Sequence, residues 1–180
     1  MLTTDLALDA LGRVHELVPA VLDGLSPADV TWRADPEANP IGWLVWHLLR
    51  VEDDHLATLG GVPQVWLADG WHQRFGLPYP KGAHGFGMSS AEVALFSISD
   101  TALLTGYAEA VAAQSRRIVT ALTEADFARI VDTRFTPPVT LAVRLVSVMV
   151  ETAQHIGQAG YVRGLLERRQ GRDSGWAGIG

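Results

Sequence analysis

The sequence predicts an all-α fold, a four-helix bundle with long connections, on three observations. Four segments repeat apolar residues at steps of three and four, the spacing that gathers them on one helical face. Glycine, proline and capping residues stand at the ends of those segments. No two remaining stretches read as a convincing strand pair. Helices without a sheet bury their apolar stripes against one another, and that is a bundle.

The first helix is expected from about Thr4 to Asp23, with Leu8, Leu11, Val14, His15, Val18 and Leu22 on its apolar stripe and Gly24 as its stop. Ser26-Pro27 reads as the cap and first residue of a short helical turn. In the second helix Asn39 caps, Pro40 takes the first position and Gly60-Gly61 terminates. Residues 61–88, rich in glycine, proline and aromatics, form a connection long enough to need a reason. Trp66, Trp71, Phe75, Tyr79 and Phe86 argue that it packs onto something, and it is read as a lid. Ser89 or Ser90 then caps a short helix, and Ser99 or Asp100 caps the third long one, which ends near Thr123. Pro137-Pro138 forbids helix, the residues from 130 to 138 read as extended, and Thr140 caps a fourth helix running to about Arg168. Residues 1–170 thus form one helical domain, and 171–180 a loose tail.

Composition narrows the function classes. At 180 residues, 48% apolar and 19% charged, the chain has the length and hydrophobicity for a single folded core. Its net charge of −6 comes without any basic cluster, which argues against nucleic acid and anionic membrane surfaces. The longest apolar run is interrupted by Arg144 and too short to span a bilayer, and the start, MLTTDLALDALG, lacks a secretory pattern, so a cytoplasmic location is expected. Cysteine is absent, which removes disulfides, zinc-thiolate sites and a cysteine nucleophile. Any thiol chemistry needs a thiol from outside.

The chemistry concentrates in VMVETAQHIGQ, residues 148–158. Glu151 and His155 are four apart, so on a helix they point the same way, on the side that carries Leu145 and Val148. The pair is either a polar end to the core or a pair of metal ligands, since an unpaired inward carboxylate is costly and a divalent cation removes that cost. His47, in apolar company mid-way along the second helix, is the candidate third ligand. Two histidines and one carboxylate leave coordination positions open, as in catalytic ions. Gln158 lies on the same face and can orient a ligand. Asp54, seven residues past His47 on the same stripe, is a candidate carboxylate to orient a ligand from outside the coordination sphere or else a solvated charge near the helix end, and Trp43 is a candidate wall beside the ion. His55, about 80° around the helix from His47, is the weaker candidate for a fourth ligand. His72 and His84 lie in the lid with no spacing that assigns them a role.

The stretches WLVWHLLRVEDDH and ETAQHIGQAGYVRGLL, with the aromatic connection between them, resemble the DinB superfamily over roughly residues 5–168. The most similar members are actinobacterial proteins grouped with mycothiol-dependent enzymes. The resemblance implies a four-helix bundle holding a divalent ion, usually on three histidines, of which the first matches His47 and the last two match Glu151 and His155. Glutamate in the middle position departs from the commonest pattern and follows the mycothiol-dependent maleylpyruvate isomerases. Those enzymes carry a further C-terminal domain for which this chain has no room, so isomerisation is not the expected activity.

The function expected from residues and resemblance together is a metal-dependent thiol S-transferase joining a small-molecule thiol, mycothiol by the resemblance, to a small electrophile. Zinc or nickel is the expected ion, though oxygen and nitrogen ligands suit several others. The competing expectations are a metal-binding, stress-associated module without turnover, and a hydrolase in which the ion activates water. Homodimerisation through a helix face is also expected.

Overall fold

A computed structural model describes residues 3–172, so the tail expected at 171–180 lies, beyond Arg172, outside the described residues. Four long helices form the bundle: α1 (Thr3–Leu22), α3 (Ile41–Gly60), α7 (Ala102–Thr120) and α8 (Leu141–Arg169). Short helices α2 (Pro27–Thr31), α4 (Val65–Ala68), α5 (Trp71–Phe75) and α6 (Ser90–Val93) occupy the connections, with a 3-10 turn at Glu124–Ala128. α3 packs against α7 and α8, and α1 against the same two, so α1 and α3 stand diagonally across the core. No described helix is long and apolar enough to cross a membrane.

The capping logic largely sets the ends. Ser26 and Asp29 form a capping box at α2, as do Ser89 and Glu92 at α6, and Thr140 accepts from Val143 N at the start of α8. Gly61, at φ 64°, closes α3 with a left-handed residue. Three expectations shift. Thr101 rather than Ser99 or Asp100 stands at the cap position of α7, without a side-chain cap bond, although Asp100 Oδ1 accepts from Ala102 N at 2.9 Å. Pro40 rather than Asn39 stands at the cap position of α3, without a side-chain cap bond. Residues 130–140 also contain a strand pair, which the sequence reading excluded: β1 (Ile130–Asp132) pairs antiparallel with β2 (Val139–Thr140). Strands of three and two residues are too short for a period-2 pattern to declare itself.

α3 is the central element. From Ile41 to Asp53 every residue is buried, because the helix is covered by α7, α8, α2 and the following connection. A helix buried on all sides must satisfy each polar side chain internally. Glu52 accepts from Ser115 Oγ at 2.6 Å and faces His15 Nε2 of α1 at 2.9 Å, a polar crossing of the core beside a hollow of about 260 Å³. His15 is therefore a partly buried residue at the edge of the core, partnered through Nε2.

The connection from 61 to 88 is not structureless. It contains α4 and α5, and Trp66 and Phe75 enter the main apolar cluster. Arg50 and Asp53, both buried, hold it down. Asp53 accepts from Val65 N (3.0 Å), Trp66 N (2.9 Å) and Tyr107 Oη (2.8 Å). Arg50 donates to Ala83 O (3.1 Å), Gln64 Oε1 (2.9 Å) and Tyr107 Oη (3.3 Å). The segment is a fixed cover, pinned by charge-assisted bonds at two points along its length.

A candidate metal centre between α3 and α8

The packing of α3 on α8 brings His47 opposite Glu151 and His155. Glu151 Oε1 lies 3.2 Å from His47 Nε2 and 3.1 Å from His155 Nε2. One ligand atom from each of the three lies within 4.8 Å of the others, close enough for a single ion to bridge them. Among the described residues this is the group of histidines and carboxylates with that convergence.

The outer nitrogens explain why the inner ones face each other. His47 Nδ1 is bonded to the backbone carbonyl of His84, and His155 Nδ1 to Gln158 Oε1 at 2.7 Å. Both partners are acceptors, so each Nδ1 carries the proton and donates it. Neutral rings with this tautomer present bare Nε2 lone pairs. Three acceptors, two nitrogens and a carboxylate oxygen, then converge on one point with no hydrogen between them. A cation satisfies that arrangement. Burial holds His47 below its ordinary imidazole range and the neighbouring His155 adds to this, while the His84 carbonyl and Glu151 pull the other way. The neutral, ligating form of His47 is favoured.

Local structure positions each ring. Trp43, one turn before His47, stacks on it at 4.7 Å between centroids with planes 21° apart. Gly85 has φ 97°, and a Cβ built there would stand 2.5 Å from His47 Nδ1 and 3.0 Å from Trp43. Only glycine lets this backbone pass so close and present the carbonyl of His84. Gly85→Ala is therefore expected to push His47 out of line and weaken binding of a divalent ion by about 10–100-fold, the range for lost outer partners of a ligand. Unchanged affinity by isothermal titration would count against this account of the ring's placement.

The remaining candidates separate. Gln158 touches His155, as its position on α8 suggested. Asp54 does not reach His47: its Oδ1 accepts from Gln64 at 2.6 Å, and the orienting acceptor is instead a backbone carbonyl. His55 stands outside the group of three, 3.8 Å from Asp54 and half-buried, with burial and then Arg144 lowering its pKa. His72 approaches Trp66 O at 3.3 Å, away from the three. A cavity of about 600 Å³ opens beside Glu151, walled by His55, His84, Phe86, Phe135 and Arg144. Phe135 and Arg144 were not foreseen, since they reach the cavity through the β1–β2 turn and the first turns of α8. The His84 carbonyl carries no side-chain signature at all.

Comparison with known proteins agrees with this architecture. The sequence profile of the DinB superfamily matches residues 10–159. A crystal structure described as a conserved protein from Enterococcus faecalis is 30% identical and superposes with a TM-score of 0.87, covering 92% of this chain and 98% of its own. No curated protein matches the chain.

Proposed function

The chain belongs to the DinB superfamily, and from that premise we propose that it is a divalent-metal-dependent thiol S-transferase acting on a small electrophile. The observation that carries the proposal is the convergence of His47 Nε2, His155 Nε2 and Glu151 Oε1 with both outer nitrogens already engaged. These three residues would hold the ion, and their nitrogen and oxygen donors suit zinc and nickel as well as manganese and iron. A divalent ion so held supplies positive charge that drives a coordinating thiol to lose its proton.

The protein's own part is placement. His84 O, Gly85 and Trp43 fix one imidazole, and Gln158 fixes the other. Phe86 and Phe135 offer apolar faces to an electrophile in the adjoining cavity. The chain has no cysteine, so the thiol is a co-substrate, with mycothiol the one that the resemblance implies. In the reaction the thiolate sulfur forms an S–C bond as the bond from that carbon to its leaving group breaks; the leaving group departs with the electron pair, as chloride from monochlorobimane, and the thiol proton is released to solvent.

Turnover tests this directly. Protein loaded with zinc or nickel and mixed with mycothiol and monochlorobimane is expected to yield the fluorescent conjugate, with His47→Ala falling to the background rate. A wild-type rate in His47→Ala would remove the mechanism. No conjugation with any thiol, in protein that binds the ion, would favour a binding module without turnover.

A further inference from the structure

The cavity beside Glu151 runs along α8, and Glu151, Ser147 and Arg144 all border it. Arg144 stands seven residues before Glu151, on the same face and on the order of 10 Å away along the helix axis. A guanidinium thus stands at the end of the cavity remote from the three converging ligands. The Arg144 side chain is only 19% exposed, and its Nη2 donates to Asp132 Oδ2 at 2.9 Å. That carboxylate is already claimed by Arg134, through Nε at 3.0 Å, Nη2 at 2.8 Å and the backbone N at 3.0 Å. Two guanidiniums share one carboxylate, and one positive charge is left over. Arg134 is 82% exposed, so water screens it, whereas the largely covered Arg144 keeps its field. The other charged groups of the described wall do not cancel that field. Glu151 belongs to the three ligands, and Asp54 is bonded to Gln64. At His55, after the effect of burial, the charge of Arg144 acts more strongly than the opposing charge of Asp54. Between the two ends, Phe86 and Phe135 wall the cavity with exposed rings.

We propose that Arg144 anchors an acid group on the electrophile, so that the substrate is a small apolar molecule with its reacting carbon at one end and a carboxylate at the other. The reaction in this statement rests on the transferase reading; the anion subsite at Arg144 does not. A guanidinium offers five donors in a plane that matches the two oxygens of a carboxylate, and one bond to Asp132 leaves most of them for a ligand. A cationic electrophile would be repelled here, and a neutral one would forgo a charge-assisted bond. The aromatic walls accept an apolar body without regard to charge. Arg144 also sets direction. A free carboxylate competes for a divalent ion, so an acid held at the far end keeps the ion open for the thiol and turns the reacting carbon toward it.

Binding tests the subsite without the ion or turnover. The full chain is stripped of metal, so that an acid cannot coordinate it, and titrated calorimetrically with 3-nitrobenzoate and with 3-nitrobenzamide, which has the same shape and no charge. The acid is expected to bind about tenfold tighter, the effect of one charge-assisted bond. Arg144→Gln should remove the difference and Arg144→Lys should keep part of it, both with the helical circular dichroism of the wild type. Equal binding of acid and amide to the wild type would overturn the proposal, as would a preference that survives Arg144→Gln. Conjugation tests the substrate class, with zinc-loaded protein, mycothiol and either 4-chloro-3-nitrobenzoate or its amide. The sulfur bonds to the ring carbon as the C–Cl bond breaks, chloride leaves with the electron pair and the thiol proton goes to solvent. Arg144→Gln should raise KM for the acid about tenfold and leave kcat and the KM of the amide unchanged. A ratio of acid to amide KM that ignores Arg144→Gln would overturn the substrate class. Acid binding through Arg144 with no conjugation of either probe would instead remove the transferase reading and uphold the subsite.

Discussion

Zinc or nickel added to the stripped protein at about a hundred times the dissociation constant should raise its melting temperature by roughly 5–10 °C, the effect of about 2.7 kcal/mol of ligand linkage on a chain of this size. The reasoning starts from the three converging acceptors. Without a cation, Glu151 Oε1 faces two imidazole nitrogens whose protons are committed elsewhere, and the native state carries that repulsion. With a cation, the repulsion becomes coordination, and only the folded chain has the geometry to bind. His47→Ala, Glu151→Ala and His155→Ala should each abolish the rise, because two ligands do not make a tight site. Gln158→Ala should leave a smaller rise, its affinity lowered by about 10–100-fold as for outer partners of ligands. A melting temperature indifferent to zinc, nickel, manganese and iron would sink the metal centre and leave a buried polar contact in its place.

The second large effect is on stability. Asp53→Ala should cost about 3–5 kcal/mol, because it leaves the fully buried Arg50 guanidinium without its counter-charge. It also orphans Val65 N, Trp66 N and Tyr107 Oη, each of which donates to this carboxylate. Burial pushes the Asp53 carboxyl above its ordinary range, and the donors of Trp66, Tyr107 and Val65 and the charge of Arg50 offset this only in part. The bonds therefore hold the group against its desolvation. Urea unfolding followed by tryptophan fluorescence measures the loss. Asp9→Ala, which breaks the exposed pair with Arg13, is the control and should change little. A loss at Asp53 no greater than at Asp9 would show that the connection from 61 to 88 is held by its apolar contacts alone. The same variant should loosen the cover that carries His84 and Gly85, so ion affinity should fall with stability.

The two effects differ in how far they could be foreseen. His47, Glu151, His155 and Gln158 are legible in the chain because helical geometry is local: residues four apart share a face wherever the helix sits. Its apolar neighbours made His47 a candidate third ligand and the family resemblance matched it to the second-helix position, but that it meets the other two is a result of how α3 packs on α8. Arg50 and Asp53 gave no such warning. On a helix wheel they look like solvated charges, and only the burial of α3 on all sides turns them into a network. Asp54 was assigned the orienting role that the His84 carbonyl takes, because every residue has a carbonyl and sequence cannot rank them.

By itself, the sequence determined the four helices, the caps at Ser26, Ser89 and Thr140, the stop at Gly61 and the chemical character of the three converging side chains. These rest on periodicity, on backbone groups left open at helix ends and on side-chain chemistry, all of which act within a few residues. The tertiary structure alone decided which acceptor fixes each imidazole, that the connection from 61 to 88 is pinned, and that α8 bears apolar faces on opposite sides, of which the described residues cover one. Those features depend on contacts between residues tens of positions apart, and burial, which decides whether a charge is solvated or paired, exists only once the helices have packed.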